Sequence, residues 1–186
     1  MNIGQRKPGL FYIILTTLAS CSSVRKTSYQ DAGIYFKVTE DFRIGRADTY
    51  KKNQATSIPL YIRDNNLYAK FTIIWLPGNW NLDKEINNYV DGLTSVYKKE
   101  DPANKPEYGD IKDTKFGSNA ARQIEYIVPN DGPRVGSYTT FHCKNLTIII
   151  GQHSTIESKP IIDKCRKLIE ETYYCVESQI KQKNNN

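Results

Sequence analysis

His142 and His153 are the two histidines of this 186-residue chain, and Cys21, Cys143, Cys165 and Cys175 are its four cysteines. These side chains are the ones able to act near neutral pH as a general base, a nucleophile or a soft metal ligand. His142 and Cys143 are adjacent, which would suggest a thiol with its base. Neighbours on a strand project to opposite faces, however, so the two groups diverge. His142 and His153 fall at opposite ends of a predicted hairpin, roughly 20 Å apart at about 3.3 Å per residue, and cannot share a metal. Each reads as a lone surface histidine. No Cys-x-x-Cys, His-Glu-x-x-His, Gly-x-Ser-x-Gly, phosphate-binding glycine loop or Gly-x-Gly-x-x-Gly occurs. The acid pairs Glu40-Asp41, Glu100-Asp101 and Asp110 with Asp113 fall in predicted loops or strand ends and read as solvated, with a calcium role for the 100–113 loop as the alternative. The expectation is a non-enzymatic protein with no catalytic residue, metal or cofactor.

Cys143 lies on the apolar side of its predicted strand with Phe141, and Cys165 lies on the apolar stripe of the last predicted helix. Both read as small buried hydrophobes. In an oxidising compartment the alternative is a Cys143–Cys165 disulfide. Cys165 with Cys175 is disfavoured, because ten residues of helix at 1.5 Å each would separate them by about 15 Å.

Cys21 needs a different account. Arg6 and Lys7 precede an apolar run, Leu10 to Leu15, too short to cross roughly 30 Å of hydrocarbon unless it extends through Leu18 and Ala19. Small residues follow. This order of charge, apolar centre and small residues is that of a secretory signal, and Leu18-Ala19-Ser20-Cys21 resembles the lipobox of bacterial lipoproteins. The resemblance implies cleavage before Cys21, a diacylglycerol on its thiol and acylation of the new amino terminus. At about 0.8 kcal/mol per buried methylene, two or three chains hold a domain stably on a bilayer. Ser22 in place of Asp resembles the pattern that directs lipoproteins to the outer rather than the inner membrane. The expected location is therefore the cell envelope, lipid-anchored.

Loss of residues 1–20 would remove two cations and no acid, lowering the formal charge from +6 to +4. The remaining Lys and Arg are interspersed with acids and form no one-sided basic stripe, which argues against nucleic acid as a partner. Residues 22–32 lack an apolar period and read as a tether, residues 33–178 as one domain, and residues 179–186 as a polar tail.

Ser57–Arg63 and Asn66–Trp75 both alternate around Asp64-Asn65, which predicts a hairpin pairing Leu60 with Ala69, Ile58 with Phe71 and Tyr61 with Tyr68. Val135–Cys143 and Asn145–Gly151 predict a second hairpin pairing Thr139, Phe141 and Cys143 with Ile150, Ile148 and Leu146. Gly33–Val38 and Ala120–Val128 read as further strands. Leu82, Ile86, Tyr89, Val90, Leu93 and Tyr97 form a helical stripe with Asn81 as N-cap. Ile161, Ile162, Cys165, Leu168, Ile169, Thr172 and Val176 form another, with Ser158 and Pro160 at its start. The fold class is α+β, a mostly antiparallel sheet with helices packed on it. Tyr61 and Tyr68, with Arg63, Lys70 and Thr72, would form an aromatic and basic surface if helices covered one face only, and Trp80 sits near a rigid Pro77-Gly78 turn. Those residues are the candidate binding surface.

This order of elements, with Trp75-Leu76-Pro77-Gly78 leading into a helix and Gly117–Tyr126 (GSNAARQIEY) leading into a strand, resembles the PsbP-like superfamily, which includes DcrB-type lipoproteins. The resemblance covers roughly residues 33–178 and implies an α/β/α sandwich that docks a protein or peptide. A binder of a small ligand or glycan at the periplasm or cell surface is the alternative.

Overall fold

The computed structural model of the chain describes residues 27–31, 33–50, 54–100, 104–129 and 132–175. The signal segment, Cys21 and the polar tail lie outside the described residues.

Nine strands form the main sheet. β3 (Phe42–Ile44) and β4 (Asp48–Thr49) pair with β5 (Thr56–Ile62), which is followed across the sheet by β6 (Ala69–Pro77), β11 (Leu146–Thr155), β10 (Arg134–Cys143) and β9 (Asn119–Val128). β7 (Glu107–Tyr108) and β8 (Lys112–Phe116) both pair with β9. Each pairing is antiparallel. Pro59, which can donate nothing to a ladder, lies in β5 between the stretches paired by β3 and β4. A small sheet of β1 (Ser28–Asp31), β2 (Ile34–Lys37) and β12 (Tyr174–Cys175) completes the strands.

The β10–β11 hairpin has the predicted register: Thr139 opposes Ile150, Phe141 opposes Ile148 and Cys143 opposes Leu146. Its two-residue turn holds Lys144 at a φ of 57°. The β5–β6 hairpin is shifted by two residues, so that Leu60 opposes Phe71 and Tyr61 opposes Lys70. The turn is longer than Asp64-Asn65. Asp64 accepts a bond from the Asn66 N–H at 2.9 Å, and Arg63 leaves the ladder to donate its N–H to the Asp41 carbonyl at 2.8 Å. A shift of two conserves the side-chain parity, so every predicted core residue keeps its face.

Helices lie on both faces. α1 (Leu82–Glu100) is capped by Asn81, whose side chain accepts the Lys84 N–H at 2.9 Å, and carries Asp83 and Glu85 in its first turn and Lys98 and Lys99 in its last. It covers β10 and β9, above a small cluster of Ala55, Ile74, Leu76, Ile149 and Tyr89. α2 (Lys159–Thr172) buries Ile162, Cys165 and Ile169 against the opposite face. There, with the small sheet, it closes the main core around Phe36, Phe42, Phe71, Trp75, Phe116 and Phe141.

Three expectations are corrected. The folded part begins at Ser28, not Gly33: β1 pairs with β2, and Tyr29 is buried, stacking on Phe36 with centroids 5.3 Å apart. With one apolar residue in four, β1 has no visible period. α2 ends at Thr172 and does not run on through Val176. Tyr173 is extended at φ −69°, ψ 129°, and its ring packs edge-on against Phe116 and Phe141. The aromatic Tyr173-Tyr174 pair suits extended backbone and a tertiary slot better than another helical turn. This redirects the thiols. Cys143 is bonded to Cys175, whereas Cys165 is free and buried. Burial pushes the Cys165 thiol up to about 11, keeping it protonated and inert.

Candidate functional site

A cleft of about 420 Å³ opens between α1 and the main sheet, within the ordinary size range of small-molecule sites. It exists because α1 is held at points around it while small residues lie beneath its last turns. At the N-terminal end, Arg122 of β9 makes a two-pronged bond to Asp83 (2.7 and 3.2 Å), and Thr140 donates to the Leu82 carbonyl. Further along, the Tyr108 hydroxyl reaches the Val90 carbonyl and the Thr94 hydroxyl. Leu93, Val96 and Tyr97 then stand over Thr72 and Gly151.

The floor is an aromatic ladder made possible by two glycines. Gly136 opposes Tyr126 and Gly151 opposes Tyr138 across the strands. A Cβ at Gly136 would collide with the Tyr126 ring, and one at Gly151 would lie 2.9 Å from the Tyr138 ring. Each ring therefore lies flat over its partner's bare backbone. The ladder runs Tyr89, Tyr138, Tyr126, His153, Tyr68, with centroid spacings of 5.4, 5.6, 5.6 and 5.5 Å. Burial pushes the Tyr89 and Tyr126 phenols far above their ordinary range and Tyr138 up to about 12, so all three remain neutral hydroxyls.

His153 stands at the mouth. Burial first, then Arg134 and Lys70, depress its pKa to about 4, which makes it a neutral imidazole at pH 7. Its Nδ1 lies 2.7 Å from the Tyr126 hydroxyl, which also faces the Gln152 carbonyl at 3.5 Å and hydrogen-bonds the Tyr138 phenol. This bond occupies Nδ1 in either tautomer of the neutral ring. The ring's Nε2 is buried and has no hydrogen-bond partner among the described residues. Lys70 and Arg134 flank it, and neither pairs with a carboxylate among the described residues. Arg134 lies 5.1 Å over the Tyr68 ring and Lys70 5.8 Å from the Tyr61 ring. Among the described residues no Asp or Glu lines the cleft.

The structure divides the predicted surface. Tyr68, Lys70 and Thr72 line the cleft. Tyr61, 37% exposed, lies outside it between Arg43 and Lys70. Arg63 is occupied by the Phe42 carbonyl at 3.0 Å. Trp80 belongs to the other end of the sheet, where its backbone N–H bonds Thr147, its indole bonds the Pro77 carbonyl, and its carbonyl lies 2.8 Å from His142 Nε2. His142 is thus a surface residue buttressing a turn, whereas His153 is not the lone surface histidine expected. Arg134, Tyr126, Tyr138, Tyr89 and Tyr97 were missed in the sequence. The signal for two of them was there: a glycine inside each of two strong strands marks a close approach. Asp113 bonds Arg122 and Asp41 faces Lys164. Among the described residues no three metal-ligand side chains converge, and no helix is long and apolar enough to cross a membrane.

A mostly antiparallel sheet flanked by two helices defines the protein as an α+β domain of PsbP-like fold. The solution structure of cyanobacterial PsbP from Synechocystis sp. PCC 6803 superposes with a TM-score of 0.54 at 11% identity, covering 85% of this chain and 98% of that one. LpqN of Mycobacterium tuberculosis, described as involved in cell envelope biogenesis, gives a TM-score of 0.47 at 16% identity, covering 78% of this chain and 86% of that one. No protein-family model and no curated protein matches the chain.

Proposed function

We propose that this is a non-enzymatic binding domain, held on an envelope membrane by acyl chains at Cys21, that receives a small ligand in the cleft beneath α1. The carrying observation is the cleft itself, walled by tyrosines whose phenols stay neutral and whose edges supply hydrogen bonds. A nucleophile with an adjacent base is absent from its lining: the one titratable base, His153, is bonded to a phenol. Membrane attachment rests on the Leu18-Ala19-Ser20-Cys21 motif, and an outer-membrane address rests on Ser22.

The cleft is tested by extracting the full chain from native membranes and identifying small molecules that travel with it. Thr72→Trp, which places an indole in the cleft, is the comparison. A compound recovered with the parent chain and lost with the variant supports the reading; equal recovery refutes it. Attachment is tested separately with a fatty-acid probe. Labelling should vanish in Cys21→Ser together with membrane partitioning, and an unlabelled parent chain would rule the anchor out.

One observation favours a second reading, docking of a protein or peptide. Tyr61 lies open to solvent beside Arg43 and Lys70, an aromatic and cationic strip suited to an acidic partner. Recovery of one stoichiometric protein, abolished by Tyr61→Ala, would select that reading over the first.

A further inference from the structure

Resting on the proposal that the cleft binds a small ligand, we infer that the ligand is an organic acid. Its carboxylate sits among His153 Nε2, the Lys70 ammonium and the Arg134 guanidinium, and its flat apolar body lies along the tyrosine ladder beneath Leu93. Three independent observations converge on this chemistry. Two cations line the mouth, and neither has a carboxylate partner among the described residues, so their charge is uncompensated where a ligand would enter. Among the described residues the lining contains no acid to repel an anion. Between the cations lies the buried His153 Nε2, with no hydrogen-bond partner among the described residues.

The orphaned imidazole nitrogen is the sharpest of these. A buried polar group without a partner is costly, and such groups in folded proteins mark places where something else supplies the bond. The bond between the Tyr126 hydroxyl and Nδ1 fixes the ring orientation and leaves Nε2 facing Lys70 and Arg134. A ligand atom at this position must bond the imidazole and tolerate two adjacent positive charges. A carboxylate oxygen does both, drawing the imidazole proton to Nε2, and its second oxygen can face Arg134. A cationic ligand would be repelled by both side chains. The remaining walls, Ile74, Leu93, Val96 and Ile149 with the tyrosine rings, offer apolar contact to the rest of the molecule and no further charge.

The test titrates the full chain, held in nanodiscs, with 4-phenylbutyrate and with its uncharged isostere 4-phenylbutyramide, using empty nanodiscs to subtract partitioning. The acid should bind roughly tenfold or more tighter than the amide, the scale of a hydrogen bond to a charged group. Lys70→Ala combined with Arg134→Ala should bring the acid to the amide's affinity while leaving the thermal midpoint of the free protein within a few degrees. A second readout is the His153 imidazole by NMR. The groups facing it are Lys70, Arg134, Tyr68 and Tyr126, so an arriving anion should raise its titration midpoint by offsetting the two cations, and the acid should do so where the amide, burying the ring equally, does not.

Equal binding of acid and amide would overturn the organic-acid assignment and leave the ligand cleft standing. Absence of binding by either, with the Tyr126, Tyr138 and His153 signals unmoved, would overturn both.

Discussion

Removing the Cys143–Cys175 bond should cost a large share of this domain's stability. The bond joins the end of β10 to β12 and so holds the small sheet against the main core across 32 residues of chain. In the chain-entropy treatment a loop of that length restricts the unfolded state by about 3.5–4 kcal/mol at 25 °C. Against the 5–15 kcal/mol typical of a domain, that loss is severe. The double variant Cys143→Ser with Cys175→Ser, unfolded in urea beside the parent chain, should lose about 2–4 kcal/mol. Thiol counting gives an independent check. With Cys21 acylated, denatured protein without reductant should show one reactive thiol, Cys165, and three after reduction. Native protein should show none, because Cys165 is fully buried. If peptide mapping assigned the free thiol to Cys175, the Cys143–Cys165 pairing would stand and the observed ending of α2 would be wrong. A loss below about 1 kcal/mol would instead mean that β12 docks without help from its covalent link.

Two further expectations concern the cleft. His153 is neutral in the folded state with a pKa near 4 against 6.5 when exposed, so the unfolded chain binds an extra proton between those values. Stability is full above about pH 6.5 and falls by up to about 3 kcal/mol as pH drops toward 4. Urea midpoints from pH 6.5 to 5 should decline less steeply for His153→Gln, and parallel slopes would show that His153 is not responsible. Gly136→Ala should destabilise by about 1–3 kcal/mol by driving Cβ into the Tyr126 ring. In a Tyr126→Ala background the same change should cost less but keep part of the penalty, because the Gln152 carbonyl lies 2.6 Å from the added Cβ, and a purely additive cycle would sink the ring-over-glycine packing.

The sheet was legible because alternation is written twice, once on each strand of a hairpin. Phe141 with Ile148 and Thr139 with Ile150 could satisfy one register only, and the chain adopts it. The first hairpin shows the limit: its parity was fixed by Leu60 and Phe71, whereas its offset depended on an Asp64 turn and on Arg63 bonding back to β3. Short strands escaped notice because β1, β4 and β7 hold too few apolar residues to reveal a period. The end of α2 escaped because Thr172, Tyr173 and Val176 can continue a helical stripe as well as an extended run. Only tertiary packing of Tyr173 decides between them. The cleft was half visible. Tyr68 and Lys70 stood out by strand position, whereas Tyr89 and Tyr97 come from a helix more than ten residues away, and their convergence on Tyr138 is set by where α1 lands.

That landing also fixes how the domain would meet a membrane. β1 and its buried Tyr29 belong to the core layer with α2, on the face of the main sheet opposite α1. With the described fold reaching back to Ser28, at most residues 22–27 would separate an acylated Cys21 from the domain, a reach of about 20 Å when fully extended. The eleven-residue tether read from the sequence would have allowed nearly twice that distance and free reorientation. A link of that length on the α2 side, were Cys21 acylated as proposed, would bring that side toward the bilayer and leave the mouth at Lys70, Arg134 and His153 on the opposite face of the sheet. An acid reaching the cleft would then arrive through water, where charge guides it. The paired cations, with no carboxylate lining the cleft among the described residues, would serve that approach as well as the bound state.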